Sequence, residues 1–236
     1  SLRRGAVTAP SAAMKRLLAG IAHFRKKIRP GYRETFAKLA LGQKPDCLFV
    51  ACSDSRVVPN LFASSDPGDL FVIRNPGNIV APGGPGGKSQ ADESEAGALE
   101  FALLRLEVPD IVVCGHSECG AMRAICGDLS LDGAPNLQSW LRHAEKALKL
   151  PPNVEFDTRL PRHNLVAQAN ALAQLENLRS YPIVAELERR QRLRLHAWYF
   201  DIAMAEVQAF DADSRRFMVI DEAHARRMIA RLVRRK

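Results

Sequence analysis

The chain has 236 residues, 47% of them hydrophobic and 25% charged, an ordinary globular balance that excludes disorder and collagen-like order. Its 34 basic and 26 acidic residues give a formal charge of +8, but the excess sits at the two ends. Residues 1–29 carry eight Lys or Arg and no acid, residues 225–236 carry six and none, and the middle keeps 20 basic against 26 acidic residues. A nucleic-acid surface wants a basic stripe across a folded face, so no nucleic-acid partner is expected, only two helices with solvated basic faces.

No run approaches the roughly 18 apolar residues of a spanning helix, and the N-terminus shows no signal-peptide pattern, so no membrane partner is expected. Five cysteines, an odd number in a chain this long, do not read as a secreted disulfide framework. The thiols are expected to be ligands or core residues, and the protein to be cytoplasmic.

Residues 11–28 read as an amphipathic helix, with Leu17, Leu18, Ile21 and Phe24 at helical spacing, ended by Pro30-Gly31. A second short helix is expected over 32–41. Short apolar runs at 47–51, 70–73 and 110–114 read as buried strands. Between the last two come a Gly/Pro-rich loop at 81–87 and a helix over 93–106. Helical pattern covers 136–150 and 163–178, strands are expected at 193–200 and 216–220, and a basic helix closes the chain. Strands alternating with helices predict one α/β domain over 1–236 with a largely parallel sheet. Its ends are a basic N-terminal arm (1–29) and a basic C-terminal helix (222–236). Gly86-Gly87-Lys88-Ser89 resembles the end of a phosphate-binding loop, but Pro82 stands where the first glycine belongs, so a surface loop is expected.

Two of the central strands run into metal-ligand chemistry. The first is followed by Cys52-Ser53-Asp54-Ser55-Arg56, the third by Gly115-His116-Ser117-Glu118-Cys119-Gly120. Loops at the carboxyl ends of neighbouring parallel strands converge, so Cys52, His116 and Cys119 can meet although the first two are 64 positions apart. Two thiolates and an imidazole suit zinc and leave its fourth tetrahedral position for water. Two thiolates also cancel the dication, so the bound water needs help from its surroundings. Asp54 is placed to give it, because a carboxylate only accepts hydrogen bonds and would aim the oxygen lone pair outward. Arg56 can hold that carboxylate ionised through a bidentate pair. Cys47, Cys114 and Cys126 read as core or surface residues.

These stretches, with Gly68-Asp69-Leu70-Phe71-Val72-Ile73-Arg74-Asn75 and Leu195-His196-Ala197-Trp198-Tyr199-Phe200-Asp201-Ile202, resemble the β-class carbonic anhydrases. The resemblance implies a mostly parallel central sheet with an antiparallel edge strand, flanked by helices. It also implies one zinc per subunit and reversible hydration of CO2 to bicarbonate and a proton by attack of zinc-bound hydroxide. Carried over by position, Cys52, His116 and Cys119 match the zinc ligands, Asp54 and Arg56 the catalytic dyad, and Gln43 and Phe71 the substrate side. Pro76 and Phe101 depart from the family's common residues at pocket positions. An obligate homodimer or dimer of dimers is implied, with the N-terminal helix lying across the partner subunit. The location is then the cytoplasm or the inside of a bacterial microcompartment, for whose shell partner the sequence offers no support.

Some bacterial members close at low pH, when the residue matching Asp54 leaves its arginine for the fourth zinc position, a state favoured by bicarbonate in a second pocket. That pocket uses a tryptophan, a glycine and a tyrosine where this chain has Phe49, Ala51 and Phe200. Two hydrogen-bond donors are gone, so the open, plant-like form is expected. Three other readings stay open on sequence alone: a zinc hydrolase of the same fold acting on carbon disulfide, a non-catalytic zinc-stabilised protein, and nucleic-acid binding through the basic ends.

Overall fold

The computed structural model describes residues 12–91 and 93–234, and the chain groups into two units, Ser1–Gln43 and Lys44–Lys236. Residues 1–11 of the basic arm and 235–236 of the closing helix lie outside the described residues. The first unit is one helical run: α1 (Ala12–His23), a π-helical turn (Phe24–Ile28) and α2 (Arg29–Leu39). Pro30-Gly31 does not end the helix, contrary to the sequence expectation. Proline lacks an N–H and its ring presses on the preceding turn. Here the wide turn just ahead makes room, and Pro30 falls in the first turn of α2, where an N–H has no intrahelical partner anyway. No residue of α1 or α2 is buried. The apolar stripe is in the open, with Leu17 63%, Leu18 58% and Ile21 64% exposed.

The second unit begins with β1 (Cys47–Cys52), α3 (Pro59–Phe62), β2 (Leu70–Asn75) and α4 (Glu93–Leu104). β3 (Asp110–His116), α5 (Gly120–Ile125), α6 (Pro135–Leu141) and a 3-10 stretch (Arg142–Leu148) follow. It ends with α7 (Arg162–Arg179), α8 (Pro182–Arg189), β4 (Arg194–Asp201), β5 (Glu206–Asp211), β6 (Arg216–Val219) and α9 (Glu222–Arg234). The strands form one sheet in the order β2-β1-β3-β4-β5-β6. The first four strands in that order run parallel; β4–β5 and β5–β6 are antiparallel. The antiparallel edge is therefore two strands wide, because β5 joins the β6 that the sequence indicated.

Alternation along the strands splits the core between the two faces of the sheet. Leu48, Val50, Ile111 and Val113 pack with Leu99, Leu103, Leu175 and Leu178. On the other face Phe49, Ala51, Val112, Cys114 and Phe200 form a second cluster. β1 and β3 are covered on both faces, which is why they read as unbroken apolar runs. The loop at 81–87 is fastened down: Gly83 N–H donates to Ser180 Oγ (2.7 Å) and the Tyr181 hydroxyl to the Ala81 carbonyl (2.7 Å).

α7 lies directly on the end of β3. A Cβ added to Gly115 would stand 2.7 Å from the Ala167 carbonyl oxygen, a backbone atom with no rotamer to yield. Gly115→Ala is expected to lower stability by about 2 kcal/mol or more, as overpacking does, and to loosen the neighbouring His116. Urea unfolding together with metal content checks it; an unchanged midpoint would contradict the close approach.

Candidate metal centre

The chain passes from β1 to β2 on one side and returns to β3 on the other, so the carboxyl ends of β1 and β3 flank a topological switch point. Open α/β sheets bind ligands there. Cys52 is the last residue of β1 and His116 the last of β3. Glu118 then takes a left-handed backbone conformation, φ 56°, which turns Cys119 back beside them. Asn164 of α7 holds that turn, its Oδ1 accepting the Glu118 N–H at 2.8 Å.

The Cys52 and Cys119 sulfurs and a His116 ring nitrogen lie within 4.8 Å of one another, all three residues buried. The His116 Nδ1–H donates to the Ser117 carbonyl at 2.9 Å, which fixes the tautomer and leaves the Nε2 lone pair free. Nε2 is buried and has no partner. A buried imidazole nitrogen aimed at two buried sulfurs is what a resident metal ion explains. The pairing with Cys119, then the neighbouring His116 and the Gly77 N–H, brings Cys52 well below the ordinary thiol range against the opposing effect of burial. Cys119 is pushed up by that same pairing and by burial.

Beside the cluster, Arg56 grips Asp54 with both arms: Nε to Oδ1 at 2.9 Å and Nη2 to Oδ2 at 2.7 Å. The Arg56 backbone N–H adds a third bond, to Oδ1 at 3.0 Å. These bonds outweigh partial burial and hold the Asp54 carboxyl at about 2, so it is an acceptor at any physiological pH. Arg56 Nη2 also donates to the Glu118 carbonyl at 3.1 Å, tying the dyad to the His116–Cys119 turn.

Residues 47–207 match the family described as carbonic anhydrase. The chain is 43% identical over 211 residues to the carbonic anhydrase of Pseudomonas aeruginosa, covering 89% of this chain and 93% of that one. Its structure superposes on that of the beta-carbonic anhydrase CcaA with TM-score 0.79 at 38% identity, over 90% of this chain and 94% of the other. One of two tetrameric beta-carbonic anhydrases from Sordaria macrospora superposes with TM-score 0.71 at 27% identity, over 86% and 98%. The chain belongs to the β-class carbonic anhydrases. It is a zinc-dependent enzyme of reversible CO2 hydration, and the Cys52, His116 and Cys119 cluster is the donor set that can bind the metal.

Phe71, matched by the resemblance to the substrate side, does not stand beside this cluster within the chain. In this β-class chain Phe71 pairs with Leu48 in the register, near the amino end of the sheet. Cys52 is four rows further along β1, roughly 13 Å at the rise of a parallel strand. Phe71 instead stacks on Phe101, ring centroids 6.0 Å apart. Gln43 belongs to the first unit.

Two positioning groups were not assigned a role from the sequence. The Arg74 guanidinium donates to the carbonyls of Cys52 (2.8 Å), Asp54 (2.7 Å) and Val57 (2.8 Å), bracing the loop that carries both a ligand and the dyad. Glu95, buried in α4, accepts from Asn75 Nδ2 (3.0 Å) and the Ala81 N–H (2.8 Å). An arginine and an asparagine closing an apolar strand, just before Pro76-Gly77, were the available signal.

Proposed function

We propose that Cys52, His116 and Cys119 hold the zinc and that Asp54 and Arg56 are the catalytic pair beside it. Zinc in such a donor set supplies a Lewis acid that acidifies water in its open position. The observation that carries the reading is the bidentate Asp54–Arg56 pair (2.9 and 2.7 Å) next to the three ligand atoms. Asp54, kept ionised, accepts a hydrogen bond from the attacking hydroxyl and turns its lone pair toward CO2. Arg56 fixes the carboxylate in that pose and neutralises its charge. A purely structural metal site has no use for such an oriented pair. Stopped-flow CO2 hydration on protein of measured zinc content tests the reading; zinc-loaded protein with no rate above buffer would overturn it.

The substrate side follows from the assembly. We infer that the chain works as a homodimer or dimer of dimers and that Phe71 walls the CO2 pocket of a second copy, its own site being too distant. Gln43 is proposed to donate its amide to a bicarbonate oxygen. In support, α1 and α2 have no core of their own, and Leu17, Leu18, Ile21 and Phe24 need an apolar surface. β2 also leaves an unpaired strand edge. The Sordaria macrospora relatives are tetrameric by their description. Deleting residues 1–29 is expected to give aggregation or dissociation in size-exclusion chromatography with light scattering, and a well-behaved active monomer would refute the arm's role.

The open, plant-like form is the one proposed for solution. Phe49 and Phe200 are buried, and both pack on Phe62, at 6.0 and 4.8 Å between ring centroids. Aromatic rings fill the place where an anion would need donors. Added bicarbonate is therefore expected to slow CO2 hydration gradually; a steep sigmoidal loss of rate would contradict this. All five cysteines are free thiols, which supports a reducing, cytoplasmic location. No described helix is long and apolar enough to cross a membrane.

A further inference from the structure

We propose that Trp140 is a positioning residue for the metal centre, acting on the Cys52 sulfur through a single peptide unit. The Trp140 indole N–H donates to the Pro76 carbonyl at 2.8 Å. The N–H of that same peptide belongs to Gly77, and it donates to Cys52 Sγ at 3.3 Å. One amide thus connects a side chain of α6 to a sulfur of the donor cluster. Its geometry is not incidental. Gly77 is left-handed, φ +87°, and a Cβ there would meet the Ala121 Cβ at 3.0 Å and Met122 Cε at 3.2 Å. Only glycine lets the backbone turn its N–H onto the sulfur in that space.

The far side of the residue is also held. Asn170 Nδ2 of α7, fully buried, donates to the Gly77 carbonyl at 2.9 Å, and Gln174 Nε2 holds Asn170 Oδ1 at 2.8 Å.

Hydrogen bonds in series polarise one another. A donor on the Pro76 oxygen makes the Gly77 N–H a stronger donor to the sulfur, and a hydrogen-bonded thiolate gives less charge to its metal. With two thiolates in the set, the metal's charge is formally cancelled. Any group that draws charge back from a sulfur keeps the metal more electrophilic, as partners outside the ligand set do elsewhere. The inference rests on Cys52, His116 and Cys119 being the metal ligands.

The test uses the full-length protein loaded with Co2+, whose thiolate-to-metal charge-transfer band reports the sulfur's electron density. Trp140→Phe keeps a ring and removes the N–H; Trp140→Leu, removing ring and donor together, is the second variant. Both are expected to bind one Co2+ per chain with the band moved to lower energy than in wild type. Leu137→Ala, on the same helix and packed, like Trp140, against the cluster that includes Cys52 and Cys119, removes apolar contact but no hydrogen bond and should leave the band in place. A wild-type band in either Trp140 variant, or an equal shift in Leu137→Ala, would overturn the proposal. A wild-type protein with no thiolate band at all would instead overturn the ligand assignment beneath it.

Discussion

His116→Ala is expected to lose the zinc and the activity together. The Nε2 atom is buried and partnerless, and Cys52 and Cys119 are the only other donors in the one cluster found among the described residues. With three protein ligands there is no spare one. Two buried thiols alone leave a metal ion one protein ligand short of the three that the cluster offers. The loss should exceed the roughly 10–100-fold that removing a partner outside the ligand set costs. Cys52→Ser and Cys119→Ser should behave the same way, a serine oxygen being a poor substitute for thiolate. Cys126→Ser, half-buried and outside the cluster, is the matched control and should keep both metal and rate. Zinc content after dialysis and stopped-flow CO2 hydration decide the matter. Stoichiometric zinc in His116→Ala would remove that residue from the ligand set.

Why was this centre legible in the sequence, and its supports not? Ligands at a switch point follow strands, and strands buried on both faces announce themselves as apolar runs such as Leu48–Ala51. Residue chemistry supplied the rest, since cysteine, histidine and an Asp-x-Arg pair have few reasons to stand at strand ends together. The antiparallel edge was half missed. β5 alternates Val207 and Ala209 with Glu206 and Gln208 over six residues only, too short a pattern to separate from the turn before it. α8 starts at a proline, which reads equally well as a break. Pro30 was over-read, because a local rule about proline cannot anticipate a widened turn ahead of it.

The largest gap is α7. Asn164, Asn170, Gln174 and Asn177 look like a solvent face in sequence, yet all are at most 5% exposed. They spend their amides on the backbone of residues 77, 80 and 118. Burying an amide is tolerable only when its bonds are made, and those bonds go to loops that no pattern within the helix reveals. Phe71 is a different case. Matching it by position to a pocket wall does not say whether the wall and the ligand cluster belong to one chain, and the register sets it four rows from Cys52.

Asp54→Asn is expected to keep the zinc and lose roughly 10²–10³-fold in CO2 hydration rate, the scale set by one oriented hydrogen-bonding group in a catalytic site. Nothing in the cluster of Cys52, His116 and Cys119 changes, so the metal stays. The fold should hardly notice, because Arg56 is half exposed and such ion pairs contribute about 0–1 kcal/mol. The difference is one of direction. In the wild type both carboxylate oxygens are acceptors, each already taking a bond from Arg56, with lone pairs left for the attacking hydroxyl. An asparagine has one acceptor and one donor. With its oxygen in the place of Oδ1, its NH2 takes the place of Oδ2, loses the bond from Arg56 Nη2 and offers the attacking hydroxyl a donor where an acceptor is needed. If it turns over, the NH2 meets the guanidinium and the side chain is driven off its position. Either way the attacking oxygen loses its aim while the metal content stays stoichiometric. Rate and zinc measured on the same sample separate the two effects, and full activity in Asp54→Asn would take the dyad out of the mechanism.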